Sequence, residues 1–384
     1  MKILFVAPRY HTNQICIVEG LIKAGHKVTF WSQYVGLIEE HRGVEPALMK
    51  KSLITSIGSY IRHKTLSGGA AESEDLKKFI PSPVWVYNSL KAMKPDLVIT
   101  RERSRVSRVI SICCRLAGIE HTVLYVQEPY YHSPSHPGLR ERIKEKILPG
   151  VIYTPVKYDP SSDERTYHDE HSYHLPLVYE AGPREEAVHK DYMPGGVLRL
   201  LDIGKYRDYK HHIGAIKAMV ALDRDCPVHL TIIGQCESED EKAHKKMLLS
   251  RIREYDIEDK VSLYDNIPYS EMNDLYQKYD MLLLPSKAES AGMVILEAMG
   301  NGLGVICTRT CGLAYCVEEA GAGASYDYDD YESLAAIIGS FCADPDRVRN
   351  CAEKAYDYIR DNNDFEAYYS SLKELMKREY GYNI

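Results

Sequence analysis

Long hydrophobic runs are missing from this chain of 384 residues: none approaches the roughly 18 consecutive apolar residues of a membrane-crossing helix, so no such span is expected. The amino terminus is short of apolar length too. One charge, Lys2, precedes a six-residue run from Ile3 to Pro8, less than a secretory leader needs, and the run reads as a buried first strand. Paired C-x2-C spacing is also absent. The ten cysteines are scattered, and the nearest grouping, Cys307, Cys311 and Cys316, reads as core or loop thiols, with a metal or disulfide role as the alternative. Neither a short-period repeat nor a low-complexity tract is present. These absences predict a cytoplasmic chain without a bound metal.

The length exceeds what one hydrophobic core supports, so two domains are expected, and 45% hydrophobic with 27% charged residues suits a globular fold. The net charge of −7 conceals an asymmetry. Residues 1–150 hold 22 Lys and Arg against 13 Asp and Glu, whereas residues 191–384 hold 22 against 34. A basic first half suits an anionic partner such as a phospholipid surface, a lipid diphosphate or an acidic glycan; the alternative is a mixed, solvated surface, with Arg101, Arg103, Arg105 and Arg108 along the outer face of one helix. Nucleic acid is not an expected partner.

Strand and helix signals alternate from the start. KILFVAP, an amphipathic stretch near Cys16 to Ala24, a Gly25-His26 turn and KVTFW make a strand, helix, strand unit. LVIT, a helical pattern from Val106 to Ala117 stopped by Gly118, and HTVLYV continue it. The segment from Tyr153 to about Gly196, rich in Tyr, His, Pro and acids, reads as the end of the first domain passing into a linker. His168, His171 and His174 recur there every three residues, a ligand spacing if helical, but Pro176 favours an exposed connection. A second series follows, with strands VLRLLDIG, VHLTIIG, VSLYDN, MLLLPS and GVICTR separated by helical patterns. The stretch from Phe365 to Arg378 has Tyr368, Leu372, Leu375 and Met376 on one side and is a candidate to pack back on the first domain. The fold class is therefore α/β, two doubly wound Rossmann-like domains facing a central cleft: residues 1–185 with 365–384, and residues 186–364.

Ligands of such sheets bind beyond the carboxyl ends of the strands. In the second domain those positions carry Gly204, Lys205 and, a few residues on, Lys210; then Gly234; then a loop of Glu289, Ser290, Ala291, Gly292 and Met293 opening into a helix with Glu297. Free amides at a helix start, with two nearby lysines, suit a diphosphate and stabilise it most as it departs. Glu297 suits a ribose diol and Glu289 the hydroxyls of a sugar, although either carboxylate also suits the start of a helix for stability alone. Backbone groups from Asn266 to Tyr269, around Ile267, are candidates to read the base. The segment from Ala47 to Lys64, with Leu48, Leu53, Ile54, Ile57 and Ile61 among Lys50, Lys51, Arg62 and Lys64, could graze a membrane or simply cover the first sheet.

The segment ESAGMVILEAMGNG after DMLLLPS resembles the E-x7-E region of the retaining family 4 glycosyltransferases, which have the GT-B fold. LLDIGKYRDYKHHIGAIKA, LTIIGQ and VSLYDNIPYSEMNDLYQKYD upstream, and GVICTRTCGLAYCVEE downstream, are similar in the same order, over residues 198–345. The resemblance implies that Lys205 and Lys210 contact the donor diphosphate, Glu289 faces the sugar and Glu297 binds the ribose. It further implies an acceptor-side first domain, a donor-binding second domain, a UDP- or GDP-linked donor, no separate cofactor, and an acceptor hydroxyl on a glycan or lipid-linked glycan of cell-surface polysaccharide synthesis. Contact with the inner membrane face would then be peripheral. Two departures stand out. Pro8 to Asn13, including His11, replaces a glycine-rich loop, and Gln127-Glu128 replaces a His-Asp pair. His11 or His132 could substitute for that histidine, or Gln127 could bond a sugar hydroxyl, which makes His11, Gln127 and Glu128 the acceptor-side candidates. A nucleotide-sugar epimerase or hydrolase of the same architecture, or a non-catalytic nucleotide-sugar binder, are the competing readings.

Overall fold

Strand β1 (Lys2–Ala7) is buried from Ile3 to Ala7, as a parallel strand covered on both faces must be. Its side chains alternate between two cores. Ile3 and Phe5 join Ile15, Leu21, Tyr368 and Leu372 on one face of the sheet, while Leu4 and Val6 join Val86, Leu90, Ile110 and Cys114 on the other. The helices Ile15–Lys23 and Phe365–Tyr380 thus cover one face, and Pro83–Met93 and Arg105–Ala117 the other. The computed structural model describes residues 1–35, 41–65, 78–127, 146–157 and 171–384.

The chain forms two units. The first comprises Met1–Pro155, residues 171–178 and Phe365–Ile384; the second comprises Val156, Lys157 and Tyr179–Asp364. In the first, β1, β2 (Lys27–Ser32), β3 (Ala47–Leu48), β4 (Leu97–Arg101), β5 (Thr122–Tyr125), β6 (Val151–Thr154) and β7 (Ser172–His174) form a parallel sheet in the order β3-β2-β1-β4-β5-β6-β7. In the second, β8 (Leu198–Ile203), β9 (Val228–Gly234), β10 (Val261–Asp265), β11 (Met281–Leu284), β12 (Gly304–Thr308) and β13 (Gly323–Tyr326) run parallel in the order β10-β9-β8-β11-β12-β13. Both sheets reverse their winding beside their first strand, at β1/β4 and at β8/β11. A doubly wound sheet leaves its ligand crevice at such a reversal.

The two central strands of the second sheet are pinned at their amino ends. Asp280, fully buried, accepts from the backbone N–H of Met193 at 3.0 Å and of Arg199 at 2.7 Å, and from the Arg199 guanidinium at 2.6 Å. With one end of β8 and β11 fixed, the residues at the other end inherit a defined spacing.

Four sequence readings are corrected. Regular strand continues into the segment read as the end of the first domain passing into a linker: Tyr153 lies in β6, its ring stacked on Tyr125 at 4.9 Å, and β7 follows at Ser172–His174. Short strands with buried tyrosines carry too little aliphatic pattern to be seen. His171 and His174 lie at and within β7, not on a helix, and bond to Glu379 and to the Pro155 carbonyl; His168 lies outside the described residues. Arg101 is the last residue of β4, and Arg103 lies in the turn before the helix, so only Arg105 and Arg108 of the four are helical. The chain leaves the first unit after Val178, seven residues before the boundary read at 185, because Tyr179 and Ala181 pack where any side chain on Gly300 would stand.

Candidate functional site

The loop after β8 is shaped by four attachments. Tyr206 is buried, and its hydroxyl donates to the Tyr264 carbonyl at 2.6 Å, so its ring plugs the space beneath the ends of β9 and β10. Gly234 ends β9 there; a Cβ would run into the Gly204 carbonyl oxygen and touch the Tyr206 ring at 3.0 Å. His212, fully buried, meets Asp202 at 2.7 Å through Nδ1 and the Lys205 carbonyl at 3.2 Å through Nε2. Finally, Arg207 bonds at 3.1 Å to Glu241, whose other oxygen accepts from the N–H groups of Glu237 and Ser238 in a capping box.

The loop after β11 is held from the neighbouring β12 side. The Thr308 hydroxyl donates to the Ser286 carbonyl at 2.6 Å, the Gly312 N–H to the Glu289 carbonyl at 2.8 Å, and the Leu313 N–H to the Ala291 carbonyl at 3.0 Å. Gly292 then takes the left-handed conformation at φ 83° and starts the helix Met293–Gly300, whose first turn no side chain caps. Its leading amides carry the positive end of the helix dipole.

Between these loops, Lys210 and Glu289 form an ion pair of 2.5 Å. The lysine stem lies over Gly204, where a Cβ would meet Lys210 Cδ at 2.9 Å. Burial works against the ammonium charge, but Glu289 outweighs it by attraction and hydrogen bonding, and the Lys210 pKa is raised. Lys205 is exposed, and its ammonium makes no ion pair among the described residues. Glu297, on the helix behind the loop, accepts from the buried Tyr276 hydroxyl at 2.9 Å; burial raises its pKa and that bond opposes the rise. Ser290 is exposed, Ala291 and Gly292 are buried and Met293 is half-buried. Ile267 sits half-buried just past β10 at the sheet edge, where Asn266, at φ 54°, accepts from the Cys236 N–H at 3.0 Å and ties the ends of β9 and β10 together.

The first unit has its own cluster at the carboxyl ends of β4 and β5. Arg101 donates to Gln127 Oε1 at 3.0 Å, and Gln127 Nε2 donates to the Tyr125 hydroxyl at 2.8 Å. Burial first, then the charges of Arg9 and Arg101, lower the His11 pKa to about 4. His11 and Gln127 therefore share one guanidinium as neighbour. Glu128 and His132 lie outside the described residues.

The structure thus joins Gly204, Lys210 and Glu289 directly, and sets Gly234, Ser290, Ala291, Gly292 and Met293 around them. Lys205, Glu297 and Ile267 stand nearby without touching that pair in any recorded contact. Sequence reasoning missed Asp202, His212, Glu241, Tyr276 and Arg101. One signal was available: an aspartate inside the apolar strand LLDI must find a buried partner. Among the described residues no group of three or more His, Cys, Asp or Glu is arranged to hold a metal.

Residues 185–358 match the family model described as glycosyl transferases group 1. A D-inositol 3-phosphate glycosyltransferase of Thermobispora bispora is 26% identical over 175 residues, 44% of this chain and 41% of that protein. The chain spans well under two thirds of the length of the curated relatives it matches. In three dimensions it is similar to Anabaena Alr3699/HepE, crystallised in complex with UDP, at a TM-score of 0.71 and 16% identity over 98% of this chain and 100% of that one. Sucrose-phosphate synthase from Thermosynechococcus elongatus is similar at a TM-score of 0.69 and 15% identity, over 99% and 100% of the two chains. The match to glycosyl transferases group 1 thus falls on the second unit, in a chain whose two Rossmann-like units have the GT-B fold.

Proposed function

We propose that the protein is a retaining glycosyltransferase that moves a sugar from a UDP- or GDP-linked donor to a hydroxyl of a glycan or lipid-linked glycan, in cell-surface polysaccharide or glycoconjugate synthesis. The observation that carries this reading is the Lys210–Glu289 pair at the winding reversal of the second sheet, next to the uncapped helix that Gly292 starts. Lys210 is a permanent cation beside a set of free amides, and the exposed Lys205 adds a second charge. Those groups suit a diphosphate whose negative charge grows as the glycosyl bond breaks, and they supply its neutralisation from the chain itself, without a metal.

Glu289 serves two ends in this reading. It orients the Lys210 ammonium and offers its remaining lone pairs to sugar hydroxyls, while Glu297 accepts from the ribose diol. As the bond from the anomeric carbon to the diphosphate oxygen breaks, the acceptor oxygen bonds to that carbon on the same face, and its proton passes to the departing phosphate. No strong base is required. That agrees with a His11 held neutral near pH 7 by burial and two arginines, and with Gln127 in place of an ionisable side chain. The first unit takes the acceptor, at the edge where His11, Gln127 and Glu128 stand in sequence. No described helix is long and apolar enough to cross a membrane, and contact with the inner membrane face is peripheral in this reading.

The test is donor turnover with a panel of UDP- and GDP-sugars, with and without acceptor glycans. Nucleotide release that needs acceptor and falls about 10²-fold or more in Lys210→Met supports transfer. Complete conversion of donor without acceptor identifies an epimerase, and wild-type turnover in the Lys210→Met, Glu289→Gln and Glu297→Gln variants discards the site.

A further inference from the structure

The helix Leu53–Thr65 is turned inside out relative to a helix that covers a sheet. Its polar face is the anchored one: Ser52 and Thr55 are buried, their hydroxyls 3.0 Å apart, and the Thr55 hydroxyl both donates to the Ile80 carbonyl at 3.0 Å and accepts from the Ile80 N–H at 2.9 Å. The apolar face looks out. Leu53 is 82% exposed, Ile54 75%, Ile57 61%, Tyr60 64% and Ile61 55%, and these positions recur at the spacing of one helical stripe. Isolated exposed apolar residues are ordinary, but five large ones on one stripe are a contiguous patch of the kind that marks an interaction site.

What covers the stripe is indicated by the charges around it. Lys50 and Lys51 stand exposed just before the helix and Lys64 near its end, the last with its ammonium 4.5 Å from the Tyr60 ring centre. No acidic residue lies between Lys50 and Thr65. An apolar stripe with lysines at both ends fits the boundary of an anionic bilayer, where aliphatic side chains enter the acyl region, a tyrosine sits at the headgroup level and lysine stems reach up to the phosphates. A protein partner would need acids placed opposite each lysine around an apolar groove; a bilayer offers both features everywhere.

We infer that the Leu53–Thr65 helix seats the protein on an anionic membrane surface, so that the carboxyl edge of the first sheet meets acceptors held in that membrane. The helix follows directly from the carboxyl end of β3, on the same edge of the sheet as the ends of β4 and β5 that carry Arg101 and Gln127. The inference rests on the proposed peripheral membrane contact and names the element that makes it; lipid binding is measured without donor, so it is tested apart from sugar transfer.

The full-length chain is co-sedimented with phosphatidylcholine vesicles, with and without phosphatidylglycerol. The expected result is partition onto the anionic vesicles only, weakened about fivefold for each of Lys50→Ala and Lys51→Ala, and weakened by added salt. The Ile54→Glu/Ile57→Glu double variant, altered only at exposed positions, should keep its thermal midpoint and lose at least tenfold in partition. Failure of the wild type to bind anionic vesicles, or equal binding by the double variant, overturns the inference. So does a concentration-dependent dimer that the double variant abolishes in the absence of any lipid binding, which assigns the stripe to a second copy of the chain. Donor turnover in solution, measured alongside, reports separately on the transfer reading.

Discussion

Lys210 and Glu289 meet at 2.5 Å although 79 positions separate them, because β8 and β11 are hydrogen-bonded neighbours that point their carboxyl ends the same way. Neither partner is independent of the other: the lysine is largely buried, and an unpaired buried charge is costly. Lys210→Met and Glu289→Gln should therefore each reduce turnover about 10²- to 10³-fold, with the double variant little worse than either alone. Strictly additive losses in a double-mutant cycle would show that the two act separately.

Tyr276 aims Glu297. The bond between them is a single neutral-to-carboxylate contact, so Tyr276→Phe should weaken nucleotide binding by about 1–2 kcal/mol, raising the donor KM while leaving kcat near its original value. Titration of UDP or GDP into the variant checks this. A fall in kcat with unchanged KM would instead put Glu297 at the reacting bond.

Glu241 links the loop after β8 to the helix Glu239–Glu254. Burial acts to raise its pKa, but the N–H groups of Ser238 and Glu237 and the Arg207 guanidinium prevail and lower it from 4.5 to about 2. Between those two values the unfolded chain binds the proton more readily than the folded one, so this carboxylate stabilises fully above about pH 4.5 and loses its effect as pH falls toward 2. Glu241→Gln should flatten the acid limb of stability against pH in that window. Urea midpoints measured from pH 6 downward give the comparison, and parallel curves for the two proteins would contradict the assignment.

Asp202 and His212 have no solvent to fall back on. Removing one partner, as in Asp202→Ala, should cost about 3–5 kcal/mol of stability, whereas replacing both with Leu and Met should recover much of it. The double replacement also frees the Lys205 carbonyl, so it should bind nucleotide more weakly than the wild type even where stability returns. Full recovery of both properties would reduce the pair to a packing element.

Gly234→Ala forces a methyl group against backbone, the Gly204 carbonyl, which no rotamer change relieves. Loss of nucleotide binding together with a lowered thermal midpoint is the expected outcome. Gly150→Ala, where a Cβ meets nothing within 4 Å, is the control and should leave both unchanged.

The alternation of strands and helices was legible because aliphatic runs such as KILFVA, VHLTIIG and MLLLP are long and sit between helices of clear period. The α/β class and the GT-B pairing of two Rossmann-like units followed from that alternation and from the resemblance. Strands β6 and β7 were not legible, since VIYT and SYH bury tyrosines in place of aliphatic side chains. Positions after strand ends could be read, which is where Gly204, Lys210 and Glu289 lie, but pairing could not. Nothing in the spacing of Lys210 and Glu289 announces a salt bridge, and Tyr276, Asp202 and His212 act through contacts that only the folded sheet creates. The inverted helix was visible as a mixed apolar and basic stretch; which face turns outward depends on Ser52 and Thr55 finding the Ile80 backbone.

Tyr368, Leu372, Leu375 and Met376 lie in the core built on β1, so the last stretch of the chain completes a structure begun by the first. During synthesis that core stays open until residues 365–376 have been made, leaving Ile3, Phe5, Ile15 and Leu21 without their late-arriving cover. A premature stop just before Phe365 would accordingly do its damage hundreds of codons upstream, in the amino-terminal unit, and spare the segment immediately preceding it.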